Sequence, residues 1–258
     1  MIIIGCADSM TEHYARIFLL SHMRAFTSLV GHILGSHPEI NGYFEMHISY
    51  DEASALDRQL DVFLQFEAPK KNSRYLFDKL LHNDYRLNTG LFDPAGLKLL
   101  VALLEPDKSI RSIVDLFQKK GTQELYASPR EAANYYVERI TALADFCRMT
   151  DRPYYYYDAE LFQAAPDSLL EKLTEWLELA SPLTGRYQVF SQTGKAGKGD
   201  SSRFIYSGKI EKTRDDYSHI NVPENILSPA LEAYRDCRSS IIANAADSVV
   251  LSRERVQA

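Results

Sequence analysis

Residues 16–22, "RIFLLSH", hold an unbroken apolar run, the pattern of a short strand covered on both faces. After a polar loop, "TSLVGHILGSH" puts Leu29, Ile33 and Leu34 on one helical face and ends against Pro38. Residues 51–66, "DEASALDRQLDVFLQF", have helical spacing. "RYLFDKLL" (74–81) and "LKLLVALLE" (97–105) are apolar enough to predict internal strands. Behind Pro106, Ile110, Ile113, Val114 and Phe117 recur at helical intervals over 107–119, which makes a second strand-to-helix turn. Residues 129–148 predict a long helix, with Ser128 as N-cap and proline at its first position. "PYYYYDAEL" predicts a short strand, and 166–179 a further helix. Within that strand Tyr154 to Tyr157 alternate, which predicts two rings in the core and two facing outward.

Strands alternating with helices predict the α/β class, a central parallel sheet flanked by helices. The reading is one domain over 1–258, with a core at about 16–210 and a helical C-terminal tail at 211–258. Beyond Pro182 the periodicity fades into "TGKAGKGDSSRFIYSGKI", which reads as a loop.

Composition narrows the classes. At 258 residues and 45% hydrophobic, the chain has the material for a full core. A formal charge of −6 and a pI near 5.7 argue against nucleic acid as the main partner. Cys6, Cys147 and Cys237 are three in number and widely spaced, so they indicate neither a disulfide framework nor a zinc site; a cytoplasmic location is expected. The opening "MIIIGCADSM" is too short and wrongly flanked for a signal peptide. No apolar run approaches the roughly 18 to 20 residues of a transmembrane segment.

The polar loop between the first strand and helix carries the chemistry. A helix N-terminus after a parallel strand presents free N–H groups and the positive end of the helix dipole, an anion site. Arg24 adds a permanent charge with a planar donor fork, and Thr27 and Ser28 add hydroxyl donors. Phosphate or sulfate is the expected guest; the plain alternative is that the hydroxyls cap the helix and Arg24 is solvated. A phosphate-binding kinase loop fits poorly, because "GKAGKGDS" has Asp200 where the pattern from Gly194 to Gly199 requires lysine.

"LLSHMRAFTSLVGHILGSHPEINGYFEMH" resembles the 5′-phosphosulfate segment of sulfotransferases, commonly LLSxPRSGSTLLxxLLxSHPEIxxxxE. "LLVALLEPDKSIRSIVDLF" resembles their 3′-phosphate strand and helix, "YASPREAANYYVERITALADFC" the long helix after it, and "TGKAGKGDSSRFIYSGKI" their glycine-rich C-terminal loop. The resemblance implies a single-domain sulfotransferase fold and one cofactor, 3′-phosphoadenosine 5′-phosphosulfate, with no metal. It implies transfer of a sulfuryl group to a hydroxyl or amine of a small-molecule, lipid or carbohydrate acceptor. Carried over by position, Arg24, Ala25, Phe26, Thr27 and Ser28 cradle the phosphosulfate. Ser112 meets the 3′-phosphate, with Ser109 a weaker candidate, and Lys195, Gly197 and Gly199 close a loop over it.

Two positions depart from the family pattern. Ala25 and Phe26 stand where a small residue and glycine are usual, and Leu104 stands where an arginine usually ends the 3′-phosphate strand. Lys108, Arg111 or Lys195 would then have to supply that charge. The departures keep open an alternative, a noncatalytic nucleotide-binding or scaffold protein of the same fold. For catalysis, Arg24 is the expected electrophilic group, and Glu45 and His47 in "GYFEMH" fall where the family commonly carries a catalytic carboxylate. His82 is a further candidate. Acceptor contacts are expected from the loops at 44–72 and 85–95.

Overall fold

Six strands make one all-parallel sheet in the order β2-β3-β1-β4-β5-β6. In the computed structural model, residues 14–121, 123–195, 203–211 and 216–251 are described. The chain runs β1 (Ala15–Leu20), α1 (Thr27–Ser36), β2 (Ile40–Asn41), α2 (Ser54–Leu64), β3 (Tyr75–Leu80), β4 (Leu97–Leu103) and α3 (Pro106–Lys120). It continues through α4 (Pro129–Met149), β5 (Tyr154–Asp158), α5 (Leu161–Ala164), α6 (Pro166–Trp176), α7 (Glu224–Asn244) and β6 (Asp247–Val249).

The central strands β1 and β4 are nearly continuous apolar runs because helices cover both faces of the sheet. Phe18 and Leu20 of β1 join Leu99 and Val101 of β4 in a core with α3, α4 and α7. Ile17 and Leu19 point the other way, into a layer with α1 and α6. The tyrosine strand corrects one expectation. Its rings do alternate, but all four are buried, Tyr154 and Tyr156 in the first layer and Tyr155 and Tyr157 in the second. The second side is roofed by Trp176, 5.5 Å from Tyr155, and by Phe162, 5.9 Å from Tyr157, so neither side faces outward. Ser128 does stand at the N-cap of α4 but makes no side-chain capping bond there.

The C-terminal region contributes more than a helix. α7 is fastened to the end of β5 by Arg238, whose guanidinium donates to both carboxylate oxygens of Asp158 at 2.7 and 2.6 Å. β6 then pairs with β5, Tyr155 opposite Asp247.

The connections set the site. α1 leaves β1 toward one face, and α3 leaves the adjacent β4 toward the other. Strand ends that send their helices to opposite faces open a crevice between them, the usual ligand position in an open α/β sheet. α1 also lies very close to the segment behind it. A Cβ on Gly31 would sit 2.1 Å from the Tyr43 carbonyl oxygen, and one on Gly35 2.7 Å from that of Gly42, so glycine is required at both positions. That contact draws residues 42–45 back to the same edge of the sheet.

Candidate active site

The loop from Ser21 to Phe26 is held rigidly at the β1/β4 crevice. Ser21 donates from Oγ to the Ala102 carbonyl at 2.7 Å. His22 is fully buried; its Nε2 accepts the Leu104 N–H at 3.0 Å, so Nδ1 carries the proton and donates to the Met23 carbonyl at 2.9 Å. Burial holds this ring neutral, with its pKa lowered to about 4. Arg24 (φ 69°) and Phe26 (φ 56°) then adopt left-handed backbone conformations. Outside glycine such conformations are uncommon and collect at functional sites. Glu178 aside, the remaining non-glycine residue of positive φ among the described residues is His47 (φ 58°), at the same edge.

α1 begins with neither a capping side chain nor an acidic residue in its first turn. The N-terminus of a ten-residue helix in this setting has the character of an anion site. Thr27 is buried and Ser28 half-buried beside it. Arg24 crosses the crevice, its Nε donating to Ser112 Oγ on α3 at 2.8 Å. Ser112 Oγ in turn donates a hydrogen bond to the Tyr217 hydroxyl at 2.9 Å. The two residues that the sequence assigns to opposite ends of the cofactor thus meet directly. Tyr217 escaped the sequence reading because it lies in a segment without periodicity or motif.

The departures from the family pattern find structural places. The Phe26 ring packs 6.5 Å from Phe162 and against the small cluster of Ala25, Leu104 and Ala159. Leu104 is buried there, its carbonyl accepting from Tyr136 Oη at 2.7 Å and from Ser109 Oγ at 3.3 Å. Ser109 is accordingly engaged with the backbone at the start of α3. Lys108 pairs with Glu105 at 2.8 Å, and Arg111 with Asp107 at 2.7 Å and with the Ile220 carbonyl. Lys195 is exposed at the end of a turn seated on α1. Thr193 of that turn bonds His32 Nε2 at 2.8 Å, and the Gln192 N–H donates to the Tyr43 hydroxyl at 2.9 Å. Among the described residues no bond joins Lys195 to Ser112. Gly197 and Gly199 lie outside the described residues.

The second half of the site is a buried carboxylate between two imidazoles. Glu45 is 3% exposed, and its Oε1 accepts no hydrogen bond. That oxygen lies 3.7 Å from His47 Nε2 and 3.9 Å from His82 Nε2, within ion-pair range of both but beyond hydrogen-bonding distance. Burial holds the His82 pKa below the ordinary imidazole value, against the opposing pull of Glu45. Asp78 on β3 fixes the segment, accepting from the Met46 N–H at 3.0 Å and from the Tyr50 hydroxyl at 2.6 Å. Complete burial pushes Asp78 up to about 7. A buried acceptor atom with no donor is costly unless a ligand completes it. Among the described residues no group of His, Cys, Asp and Glu is arranged to hold a metal ion, this one included.

No family model matches the chain, and no curated protein matches it. Among solved structures, a sulfotransferase domain from the curacin biosynthetic pathway aligns with 87% of this chain and 98% of its own length, with a TM-score of 0.58 and 17% identity. The fold is that of a sulfotransferase domain. No helix among the described residues is long and apolar enough to cross a membrane.

Proposed function

We propose that the chain is a sulfotransferase that takes its sulfuryl group from 3′-phosphoadenosine 5′-phosphosulfate and places it on a hydroxyl or amine of a small-molecule, lipid or carbohydrate acceptor. The observation that carries this reading is the convergence at one sheet edge of an uncapped helix N-terminus, the Arg24–Ser112 bond and the donor-free carboxylate oxygen of Glu45.

These residues suit the cofactor. The α1 N-terminus with Arg24, Ala25, Phe26, Thr27 and Ser28 would hold the phosphosulfate end through backbone N–H groups, hydroxyls and one guanidinium. Ser112, with Tyr217 behind it, would hold the 3′-phosphate, and Lys195, Gly197 and Gly199 would close over it. When bound, the cofactor supplies an activated sulfuryl group and leaves as adenosine 3′,5′-bisphosphate. Arg24 keeps positive charge beside the leaving oxygen as negative charge grows on it. Glu45 takes the proton of the acceptor, a role worth typically about 10²–10⁴-fold in rate. His47 and His82 flank that carboxylate oxygen at 3.7 and 3.9 Å. No metal takes part in this scheme. Cys147 and Cys237 are unpaired thiols, consistent with work in the cytoplasm.

Calorimetry with adenosine 3′,5′-bisphosphate, together with product formation from the sulfated cofactor over a panel of acceptors, tests the reading. Saturable binding with turnover supports it. Binding without turnover on any acceptor would favour the noncatalytic scaffold, for which the left-handed Phe26 in the cradle and Leu104 in place of arginine speak.

A further inference from the structure

Helix α4 carries two large polar side chains, one turn apart, into the gap between strand ends. Tyr135 is 8% exposed and Arg139 6% exposed. The Tyr135 hydroxyl donates to the Leu81 carbonyl at 2.8 Å and accepts the Met23 N–H at 2.9 Å. It therefore joins the residue before Arg24 to the residue before His82. Arg139 repeats the bridge a turn further on: Nε donates to the Ser21 carbonyl at 2.9 Å, Nη2 to the Leu80 carbonyl at 2.6 Å, and Nη1 to Asn83 Oδ1 at 2.9 Å. All the acceptors of this buried guanidinium are neutral. Burial lowers its pKa to about 10, with the Glu45 carboxylate acting the other way.

This is a costly way to pack a helix on a sheet. An apolar face would cover the strand ends without burying a charge, and a buried guanidinium without a carboxylate partner is ordinarily destabilising. What the pair adds is geometry. Five hydrogen bonds fix the end of β1, which carries the anion loop, against the end of β3, which carries His82. The Tyr135 ring also lies 5.5 Å from the His82 ring.

We infer that Tyr135 and Arg139 are positioning residues: together they set the distance between the Arg24 anion loop and the Glu45–His82 side of the site. Neither touches the reacting groups. The kinetic part of the inference rests on the sulfotransferase reading; the placement does not.

The test uses the full chain carrying Tyr135→Phe, which deletes the hydroxyl and keeps the ring, and separately Arg139→Lys, which keeps the charge and loses the three-way fork. His82 ring signals are read by NMR on histidine-labelled protein, assigned with His82→Gln. Bisphosphate affinity is read by calorimetry and kcat with the sulfated cofactor. The expected result for Tyr135→Phe is cooperative unfolding, bisphosphate affinity within about threefold of wild type, kcat lower by about 10- to 100-fold, and displaced His82 signals. Arg139→Lys should act in the same direction. A folded Tyr135→Phe protein with unmoved His82 signals and wild-type kcat, changed only in melting temperature, would overturn the inference. If the wild type neither binds the bisphosphate nor turns over, the sulfotransferase reading fails, and the His82 signals alone decide the placement. If both variants fail to fold, Asn83→Ala, which removes one Arg139 acceptor near the surface, decides by the same signals: displaced in support, unmoved against.

Discussion

Arg24 and Ser112, 88 positions apart, are joined by a 2.8 Å hydrogen bond from the guanidinium Nε to the hydroxyl across the β1/β4 crevice. One residue belongs to the loop after β1 and the other to the second turn of α3, so the bond measures how closely the two halves of the proposed nucleotide site approach.

Ser112→Ala should therefore weaken bisphosphate binding by roughly 1.5–3 kcal/mol, the worth of a hydrogen bond to a charged group, while kcat at saturation changes little. Calorimetry and saturation kinetics report both quantities. An unchanged dissociation constant would remove Ser112 from the binding site.

Glu45→Gln keeps the size of the side chain and removes its capacity to take a proton. We expect bisphosphate affinity close to wild type and turnover lower by about 10²-fold or more. Arg24→Ala should lose both. If Glu45→Gln turned over normally while His82→Ala or His47→Ala did not, the base would be that histidine.

Phe26 makes the backbone itself testable. At φ 56° and ψ 18° a residue with a Cβ pays about 1–2 kcal/mol that glycine avoids. Phe26→Ala and Phe26→Gly both lose the packing on Phe162, so the difference between them isolates the strain. Glycine should be the more stable by about 1 kcal/mol in urea unfolding, with bisphosphate binding retained in both. Equal stabilities would contradict the left-handed conformation.

How far the sequence could be read follows from what hydrophobic periodicity reports. It records which faces are buried, so β1, β3, β4, α3 and α4 were legible within a few residues of their observed ends. It does not record partners. Arg24 and Ser112 each stand out in the sequence as expected anion ligands, but their mutual bond does not. Tyr135 and Arg139 were invisible as a pair, because polar residues on a long helix read as its solvated face. Two of the four tyrosines of β5 are expected outside because alternation alone cannot say that α6 covers the second side of the sheet. β6, three residues long with its first exposed, carries too little pattern to be seen. Glu45 was found through its place in a motif, whereas its position between two imidazoles depends on the Gly31 and Gly35 contacts and on Asp78, which are tertiary.

Buried titrating groups set the acid limit of the fold, and their signs can be worked through. His22 and His32 have folded pKa values lowered to about 4 from 6.5, chiefly by burial. In each, Nε2 accepts a hydrogen bond, from the Leu104 N–H and from Thr193 Oγ1 respectively, and protonation would break it. Lowered histidines contribute stability that is complete above pH 6.5 and lost as the pH falls toward 4. Between pH 7.5 and 4.5 that amounts to roughly 2–3 kcal/mol each. Asp78 works in the opposite direction. Its pKa is raised from 3.8 to about 7 by burial, so protonation on acidification stabilises the folded state, by roughly 3 kcal/mol over the same interval. His22, His32 and Asp78 together should therefore cost the fold only about 2 kcal/mol between pH 7.5 and 4.5, the two effects largely offsetting. Asp78→Asn preserves an oxygen for the Met46 and Lys79 N–H groups but no longer titrates, and it should lose about 3 kcal/mol more than the wild type over that range. Urea unfolding at several pH values reads both slopes. Equal slopes in the two proteins would mean that Asp78 is already ionised in the folded state at pH 4.5, and that the Glu45 segment is tied to a charged carboxylate throughout.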